Sequence, residues 1–203
     1  SIQPKTYPEK SLFFQDDFSS NKGWKVYKNK VTSNYLGNDK YEVCKVENSN
    51  LILSRSTDLK SINYTNINSG LRRYDDFEIS FDLVLKGYHC QGYFMFGSNE
   101  KAFNFIYLYQ FTSTYNVGYN NWNNSNESWV YGLERSTHFS RKNPDLVKIV
   151  KKGDYITYFI NEELHTAKLE KWYGSKIGFG VGEEGSEIAI DNLKINKFNK
   201  CDH

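Results

Sequence analysis

The sequence predicts an all-β fold, a single antiparallel β-sandwich spanning the chain, and three observations support this prediction. Short segments in which apolar and polar residues alternate recur along the chain, and a period of two is typical of half-buried strands. No stretch shows the periodicity of a helix longer than one or two turns. The 203 residues are enough for one sandwich with a proper hydrophobic core.

The N-terminal part of the chain predicts short strands separated by polar turns. The strands expected there are Leu12–Phe18, Trp24–Tyr27, Tyr41–Glu47 and Leu51–Arg55. The last two are separated by the tight turn Asn48-Ser49-Asn50, so they should pair as an antiparallel hairpin. Residues 1–11 are expected to form a flexible tail or an extension at a sheet edge.

The middle of the chain predicts the central strands. These are Phe77–Leu85, Gly92–Gly97, Phe103–Phe111, Tyr115–Tyr119 and Trp129–Leu133. The clearest is Phe77–Leu85, in which apolar residues alternate with Glu78, Ser80 and Asp82. In Phe103–Phe111 every second residue is aromatic, and apolar residues also occupy the other face. Both faces of that strand should therefore be at least partly covered, as in a central strand of a sandwich.

The C-terminal part predicts further hairpins and two closing strands. The expected strands are Leu146–Lys152, Tyr155–Ile160 and Leu164–Leu169, followed by two apolar runs within Lys176–Ile195. In the first run Ile177, Phe179 and Val181 alternate with glycines, which suggests that another backbone or a curved sheet lies close to the glycine side. Asp191-Asn192 interrupts the second run, and a bulge, a metal or a loop contact would explain this.

Three segments carry a resemblance to a known group of domains. The opening FQDDFSSNKGW (Phe14–Trp24), the hairpin Asn143–Asn161 and the closing I-D-N-L resemble concanavalin A-like jelly rolls, the lectin and glucanase group of bacterial extracellular domains. The resemblance covers roughly residues 12–198, and its motifs are fold signatures without a catalytic signature. It implies a jelly-roll sandwich, sugar chemistry and an extracytoplasmic location, meaning secreted, periplasmic or on the cell surface.

Composition excludes some functions and leaves others open. The net charge of +2 provides no electrostatic case for nucleic-acid binding. No apolar run approaches the roughly 18 residues that a membrane span needs. Cys44, Cys90 and Cys201 are widely spaced, so either one disulfide with one free thiol or three unpaired thiols is compatible with the sequence.

Glu78 and Asp82 are the best candidates for a catalytic acid pair, and they are weak ones. Glycosidases of this fold place acids on alternate positions of one strand, but Ser80 occupies the position between these two. Residues four apart on a strand are roughly 13 Å apart. Retaining and inverting hydrolysis need carboxyl separations of about 5–5.5 Å and about 6.5–9.5 Å. The alternative is a polar side of a strand that faces solvent.

Aromatic and amide side chains give the stronger functional signal. Rings stack on the C–H faces of sugars, while amides, carboxylates and guanidinium groups bind the hydroxyls. Two tryptophans flank an Asn-rich loop, and tyrosines lie on adjacent predicted strands. The candidate ligand-binding residues are Tyr107, Tyr109, Tyr115, Tyr119, Trp122, Trp129, Arg72 and Glu134. The alternative is that these rings serve core and rim packing.

The leading hypothesis is a non-catalytic, lectin-like domain that binds an oligo- or polysaccharide. The alternatives are a glycoside hydrolase of the same group and an adhesion or assembly module that binds protein. The resemblance also implies a structural calcium ion where the first and last strands lie side by side. Its expected ligands are Asp17, which follows Asp16 in the opening segment, and Asp191 in the closing strand. Alternatively, Asp191 caps a bulge through backbone N–H groups or pairs with a lysine.

Overall fold

A computed structural model describes residues 9–31, 40–55, 63–87, 89–111, 114–123, 134–136, 144–169 and 171–199. Side chains are described for all of these except residues 31, 110–111, 114–123, 134–136 and 162–165. The strands, in chain order, are β1 Lys10–Asp16, β2 Tyr27–Val31, β3 Lys40–Glu47, β4 Asn50–Arg55, β5 Asn63–Asn68, β6 Phe77–Lys86, β7 Gln91–Ser98, β8 Ala102–Phe111, β9 Thr114–Asn123, β10 Glu134–Ser136, β11 Asp145–Lys152, β12 Tyr155–Ile160, β13 Glu162–Lys168, β14 Lys176–Val181 and β15 Ser186–Phe198.

The strands form two antiparallel sheets, which confirms the predicted all-β sandwich. The nine-stranded sheet has the order β13-β12-β11-β6-β15-β4-β3-β2, and β1 pairs with the second half of β15. The six-stranded sheet has the order β10-β9-β8-β7-β14-β5. The first and last strands are therefore neighbours, as the resemblance implied. No helix long and apolar enough to cross a membrane occurs in the described segments.

Alternating burial explains why the predicted strands form where they do. In β6 the side chains of Phe77, Ile79, Phe81 and Leu83 are buried, and those between them are half-buried. The hairpin from β3 to β4 turns at Asn48 and Ser49, which have φ angles of 50° and 57°. Two residues with positive φ match a type I′ turn, whose twist suits a two-residue hairpin.

An aromatic cluster fills the space between the two sheets. Phe81 of β6 lies 4.9 Å from Phe94 and 5.0 Å from Phe179, measured between ring centroids. Trp24 closes one side of the cluster at 5.6 Å from Phe179. The indole N–H of Trp24 donates to the buried carboxylate of Asp16 at 2.9 Å, so the polar atom of the tryptophan is satisfied inside the core.

Several strand boundaries differ from the predictions. Trp24 precedes β2, so residues 24–26 form a loop, and the strand begins at Tyr27. The tryptophan ring is drawn into the core, and Thr65 Oγ1 holds the loop by donating to the carbonyl of Lys25 at 3.0 Å. The edge strand β5 is not among the predicted strands, and β9 continues to Asn123 through part of the expected polar loop. The predicted strand Trp129–Leu133 lies outside the described residues.

Gly178 of β14 lies close to the backbone of β5, as the alternation suggested. A Cβ atom added at Gly178 would come within 2.5 Å of the carbonyl oxygen of Thr65. Only glycine is compatible with that approach because the obstructing atom belongs to the backbone. Of the cysteines, Cys44 and Cys90 are buried free thiols, and Cys201 lies outside the described residues.

Candidate functional site

An aromatic layer covers the side of the six-stranded sheet that faces away from the core. We call this layer the aromatic face, and its described rings are Tyr64, Tyr93, Phe103, Phe105, Tyr107 and Tyr109. It forms because the strands alternate. In β8, Ile106 and Leu108 belong to the core between the sheets, so the aromatic residues that alternate with them project from the opposite side.

The rings on β7 and β8 form a continuous row. Tyr93 pairs in register with Tyr107, and their ring centroids are 5.1 Å apart. Tyr107 and Tyr109 stack at 6.0 Å with an interplanar angle of 10°. On the other side, Tyr93 lies 6.0 Å from Phe105, which lies 5.6 Å from Phe103. These contacts hold the rings in fixed positions along about 20 Å of strand.

Glycines interrupt this layer along β14. Gly180 pairs in register with Tyr64 on β5 and with Tyr93 on β7. Because Phe179 and its alternate neighbours point into the core, the outer side of β14 carries no side chains at Gly178 and Gly180. Tyr64 is 49% exposed and stands at the border of this strip. Gly178 and Gly180 are themselves buried, so the ring surfaces provide what this face offers to a ligand.

Hydrogen-bonding side chains gather at one end of the aromatic face. We call this group, made of His89, Gln91, Tyr109 and Glu183, the polar end. The hydroxyl of Tyr93 donates to Gln91 Oε1 at 3.0 Å, and Gln91 Nε2 donates to Glu183 Oε1 at 2.6 Å. His89 stacks on Tyr109, and its Nδ1 lies 3.1 Å from the tyrosine hydroxyl.

The charge of Glu183 acts on the neighbouring phenols. Burial raises the pKa of Tyr93, and the carboxylate of Glu183 raises it further, while Arg55 acts in the opposite direction. Burial and then Glu183 also raise the pKa of Tyr109. Both phenols therefore stay protonated and can donate hydrogen bonds at neutral pH. A ring row with donors and acceptors at its end can stack on a sugar and bind its hydroxyls.

The predicted ligand-binding residues are only partly brought together. Tyr107 and Tyr109 lie on the aromatic face. The backbones of Tyr115, Tyr119 and Trp122 lie in β9, where Trp122 is the register partner of Phe103. Glu134 begins the edge strand β10. The side chains of these three β9 residues and of Glu134 are outside the described part, and so is the whole of Trp129.

Arg72 lies away from the polar end. It follows β5, whose last residue Asn68 pairs with Lys176 at the start of β14, whereas Glu183 follows the end of β14. The length of β14, about 17 Å, separates the two ends. The guanidinium of Arg72 instead donates to the hydroxyl of Tyr74 at 2.7 Å.

The weak catalytic candidates Glu78 and Asp82 lie on the nine-stranded sheet, on the side away from the core. Glu78 accepts a hydrogen bond from Lys10 Nζ at 2.7 Å, and Asp82 accepts one from Asn192 Nδ2 at 2.8 Å. Each carboxylate has its own structural partner, and the two lie at opposite ends of one stretch of β6. Both side chains lie on the polar side of β6, where each is half-buried.

The proposed calcium ligands Asp17 and Asp191 each engage a local backbone amide. Asp17 Oδ1 accepts from the N–H of Ser19 at 3.1 Å, and Asp191 Oδ1 accepts from the N–H of Asn192 at 2.6 Å. The register of β15 against β6 shifts after Asp191, so this segment is a bulge. The described His, Cys, Asp and Glu side chains form no group of three placed to hold one ion. A calcium ion would therefore take most of its six to eight oxygens from carbonyls and water.

Sequence reasoning misses Tyr93, Gln91, His89 and Glu183. The alternation in the predicted strand Gly92–Gly97 places Tyr93 opposite Phe94, and this pattern could have identified its ring. The other three give no signal, because the register between β7, β8 and the turn after β14 is what brings them together.

No protein-family model and no curated protein matches this chain. Solved structures do match it over nearly its whole length. A carbohydrate-binding module (CBM2) of the evolved Dit of Lactobacillus casei BL23 phage J-1 is 13% identical, with a TM-score of 0.62, covering 96% of this chain and 98% of that one. An endo-β-1,3-glucanase from Pyrococcus furiosus is 15% identical, with a TM-score of 0.62 and coverage of 96% and 97%.

A third match comes from work on the endo-acting O-glycanases with which members of the human gut microbiota initiate mucin breakdown. It is 14% identical, with a TM-score of 0.64, covering 93% of this chain and 100% of the other. Identities this low show the fold and no activity. The chain thus has the jelly-roll fold of the concanavalin A-like lectins and glucanases, as the sequence motifs indicated.

Proposed function

We propose that this chain is a carbohydrate-binding, lectin-like domain and that an oligo- or polysaccharide lies on the aromatic face. The observation that supports this most strongly is the fixed row of rings ending in donors and acceptors. Tyr93, Tyr107 and Tyr109 present ring surface, and Gln91 and Glu183 supply amide and carboxylate oxygens within the same network. Neighbours in this fold include a carbohydrate-binding module and a glucanase.

Binding is favoured over hydrolysis by the distribution of carboxylates. A glycosidase of this type needs two carboxyl groups across the scissile bond. The described side chains of β5, β7, β8 and β14 include no carboxylate. In the described part of the chain, one carboxylate is hydrogen-bonded to the network of the aromatic face, that of Glu183 in the turn after β14. Glu78 and Asp82 lie on the other sheet, bound to structural partners.

A glycoside hydrolase is the second candidate, because a glucanase is among the structural neighbours. The two candidates are separated by a glycan array combined with a reducing-sugar release assay on each glycan that binds. We expect binding without release of reducing ends. Release of reducing ends that rises with protein concentration and time would contradict the lectin proposal and support the hydrolase.

A protein-binding adhesion or assembly module is the remaining alternative. No binding to any glycan on the array, together with no release of reducing ends, would contradict the carbohydrate proposal and favour this module. We further propose that the parent protein places this domain outside the cytoplasm. Cell fractionation with an antibody against the domain would check this, and recovery in the cytoplasmic fraction alone would contradict it.

A further inference from the structure

Glu183 brings a negative charge to the polar end. Its side chain is exposed, and within the described chain its polar contact is with Gln91 rather than with a lysine or arginine. The adjacent Glu184 differs, because it forms an ion pair with Lys40 at 2.6 Å. Gln91 binds Oε1 of Glu183, and no residue in the described part of the chain donates to its second carboxylate oxygen.

The nearby cation does not cancel this charge. Arg55 is 3% exposed, so a ligand on the surface has little access to it. Its Nε lies 3.8 Å from the carboxylate of Glu42, which offsets its charge locally. Consistent with this, Glu183 influences the pKa of Tyr93 more strongly than Arg55 does. The exposed charge that Glu183 brings to the polar end is therefore negative, and the buried Arg55 does not present its own charge to a ligand.

We propose that Glu183 determines the charge selectivity of the saccharide site, favouring sugars with a free amino group and rejecting uronates. This inference rests on the proposed carbohydrate function. A hexosamine ammonium group next to Glu183 would form a charge-assisted hydrogen bond, whereas a uronate carboxylate there would face a like charge. Neutral sugars of the same backbone bind with intermediate affinity through the rings and the uncharged hydrogen-bonding groups of the polar end.

The experiment uses a glycan array with matched sets that share one backbone and linkage and differ only in glucose, glucosamine or glucuronate. Wild type, Glu183→Gln and Glu184→Gln are compared at about pH 7 and low salt, where exposed charges are least screened. Array positions that bind are confirmed by calorimetry. Glu184→Gln is the matched control, since it makes the same change one residue away in a carboxylate bound to Lys40.

For wild type we expect amino sugars to bind about tenfold or more tightly than the matched uronates. Glu183→Gln should reduce this ratio about three- to tenfold while neutral sugars keep most of their affinity, and Glu184→Gln should leave the ratio unchanged. An unchanged ratio in Glu183→Gln, or equal changes in both variants, would overturn the inference while leaving the carbohydrate function standing. No binding to any glycan would overturn the proposed function itself.

Discussion

The two outer faces of the sandwich are built from the same kind of alternating strand and differ in what their side chains bind. On the nine-stranded sheet, polar groups satisfy one another: Lys10 binds Glu78 at 2.7 Å, and Lys86 binds Glu187 at 2.8 Å. On the six-stranded sheet, rings line β7 and β8, one hydrogen-bond network lies at the polar end, and Lys176 binds Glu100 at 2.9 Å at the start of β14.

This difference supports the proposal that a glycan binds the six-stranded sheet. Exposed ion pairs contribute only about 0–1 kcal/mol to stability. A layer of aromatic rings on an outer face has apolar surface that a ligand can cover at a gain in free energy. The faces share one core, so changes to the core and changes to a face should have separable effects.

The largest effect should come from the shared core. Phe179→Ala removes a ring that packs on Phe81, Phe94 and Trp24, and we expect a loss of about 3–5 kcal/mol in the free energy of unfolding. The matched change Phe159→Ala, on the outer side of β12 beneath Lys148, should cost about 1 kcal/mol. Denaturant unfolding measures both, and equal losses would contradict the assignment of the core.

The next effect separates the two faces directly. Tyr107→Ala removes a stacked ring from the aromatic face, and we expect it to weaken glycan binding by about 1–3 kcal/mol, by analogy with stacking of bases on aromatic side chains. Tyr155→Ala removes a 57% exposed ring from the nine-stranded sheet and should leave the affinity unchanged. Calorimetric titration of both variants checks this. A larger loss in Tyr155→Ala would show that the glycan binds the other face.

A pH-dependent effect should come from two buried thiols in the core that the faces share. Burial raises the pKa of the thiols of Cys44 in β3 and Cys90 before β7, in each case to about 11. Because these raised values favour the protonated folded state, the stabilisation is complete below the unfolded thiol pKa of about 8.5. It should be lost as the pH rises through about 11.

The measurement uses a Cys201→Ser background, so that only the two buried thiols remain. The free energy of unfolding is followed from about pH 8 to about pH 11, and the variant that also carries Cys44→Ala and Cys90→Ala should show a shallower decline. The comparison is of slopes, because removing the side chains changes the absolute stability. Parallel declines would show that the thiols do not contribute.

The sequence predicts those parts of the fold in which side-chain polarity follows the strand period. Strands β6 and β14 are predictable because apolar residues occupy every second position. Strand β5 escapes prediction because buried positions in it are polar: Asn63 Nδ2 donates to the carbonyls of Val43 and Ser54. Polar side chains can be buried when groups on distant strands accept their hydrogen bonds. Such residues leave no local hydrophobic pattern in the sequence.

The site is less predictable than the fold for the same physical reason. Tyr107 and Tyr109 can be identified because they share one strand face. The polar end combines residues from three separate segments, which only the sheet register brings together. The acids Glu78 and Asp82 have the right chemistry for hydrolysis but lie on the face where polar groups already pair, and no local pattern reveals which sheet a strand joins.

The smallest expected effect concerns the proposed calcium ion at the junction of the first and last strands. Asp17 and Asp191 each use one carboxylate oxygen for a local amide, so a calcium ion would rely on the remaining oxygens, carbonyls and water. Such a site should be weak, with a Kd of about 10⁻³ M. At about 10 mM calcium, the stabilisation would be about 1 kcal/mol, or about 2–4 °C in Tm.

Melting curves of protein treated with chelator and then returned to calcium would measure this shift. Asp191→Asn should abolish the shift, whereas Glu187→Gln, on the same strand but bound to Lys86, should preserve it. A Tm that does not respond to calcium in metal-free protein would assign Asp191 the bulge-capping role alone. In that case the two outer faces would differ purely in their side chains, and the junction of β1 and β15 would be held by its backbone pairing and the buried contacts of Asp16.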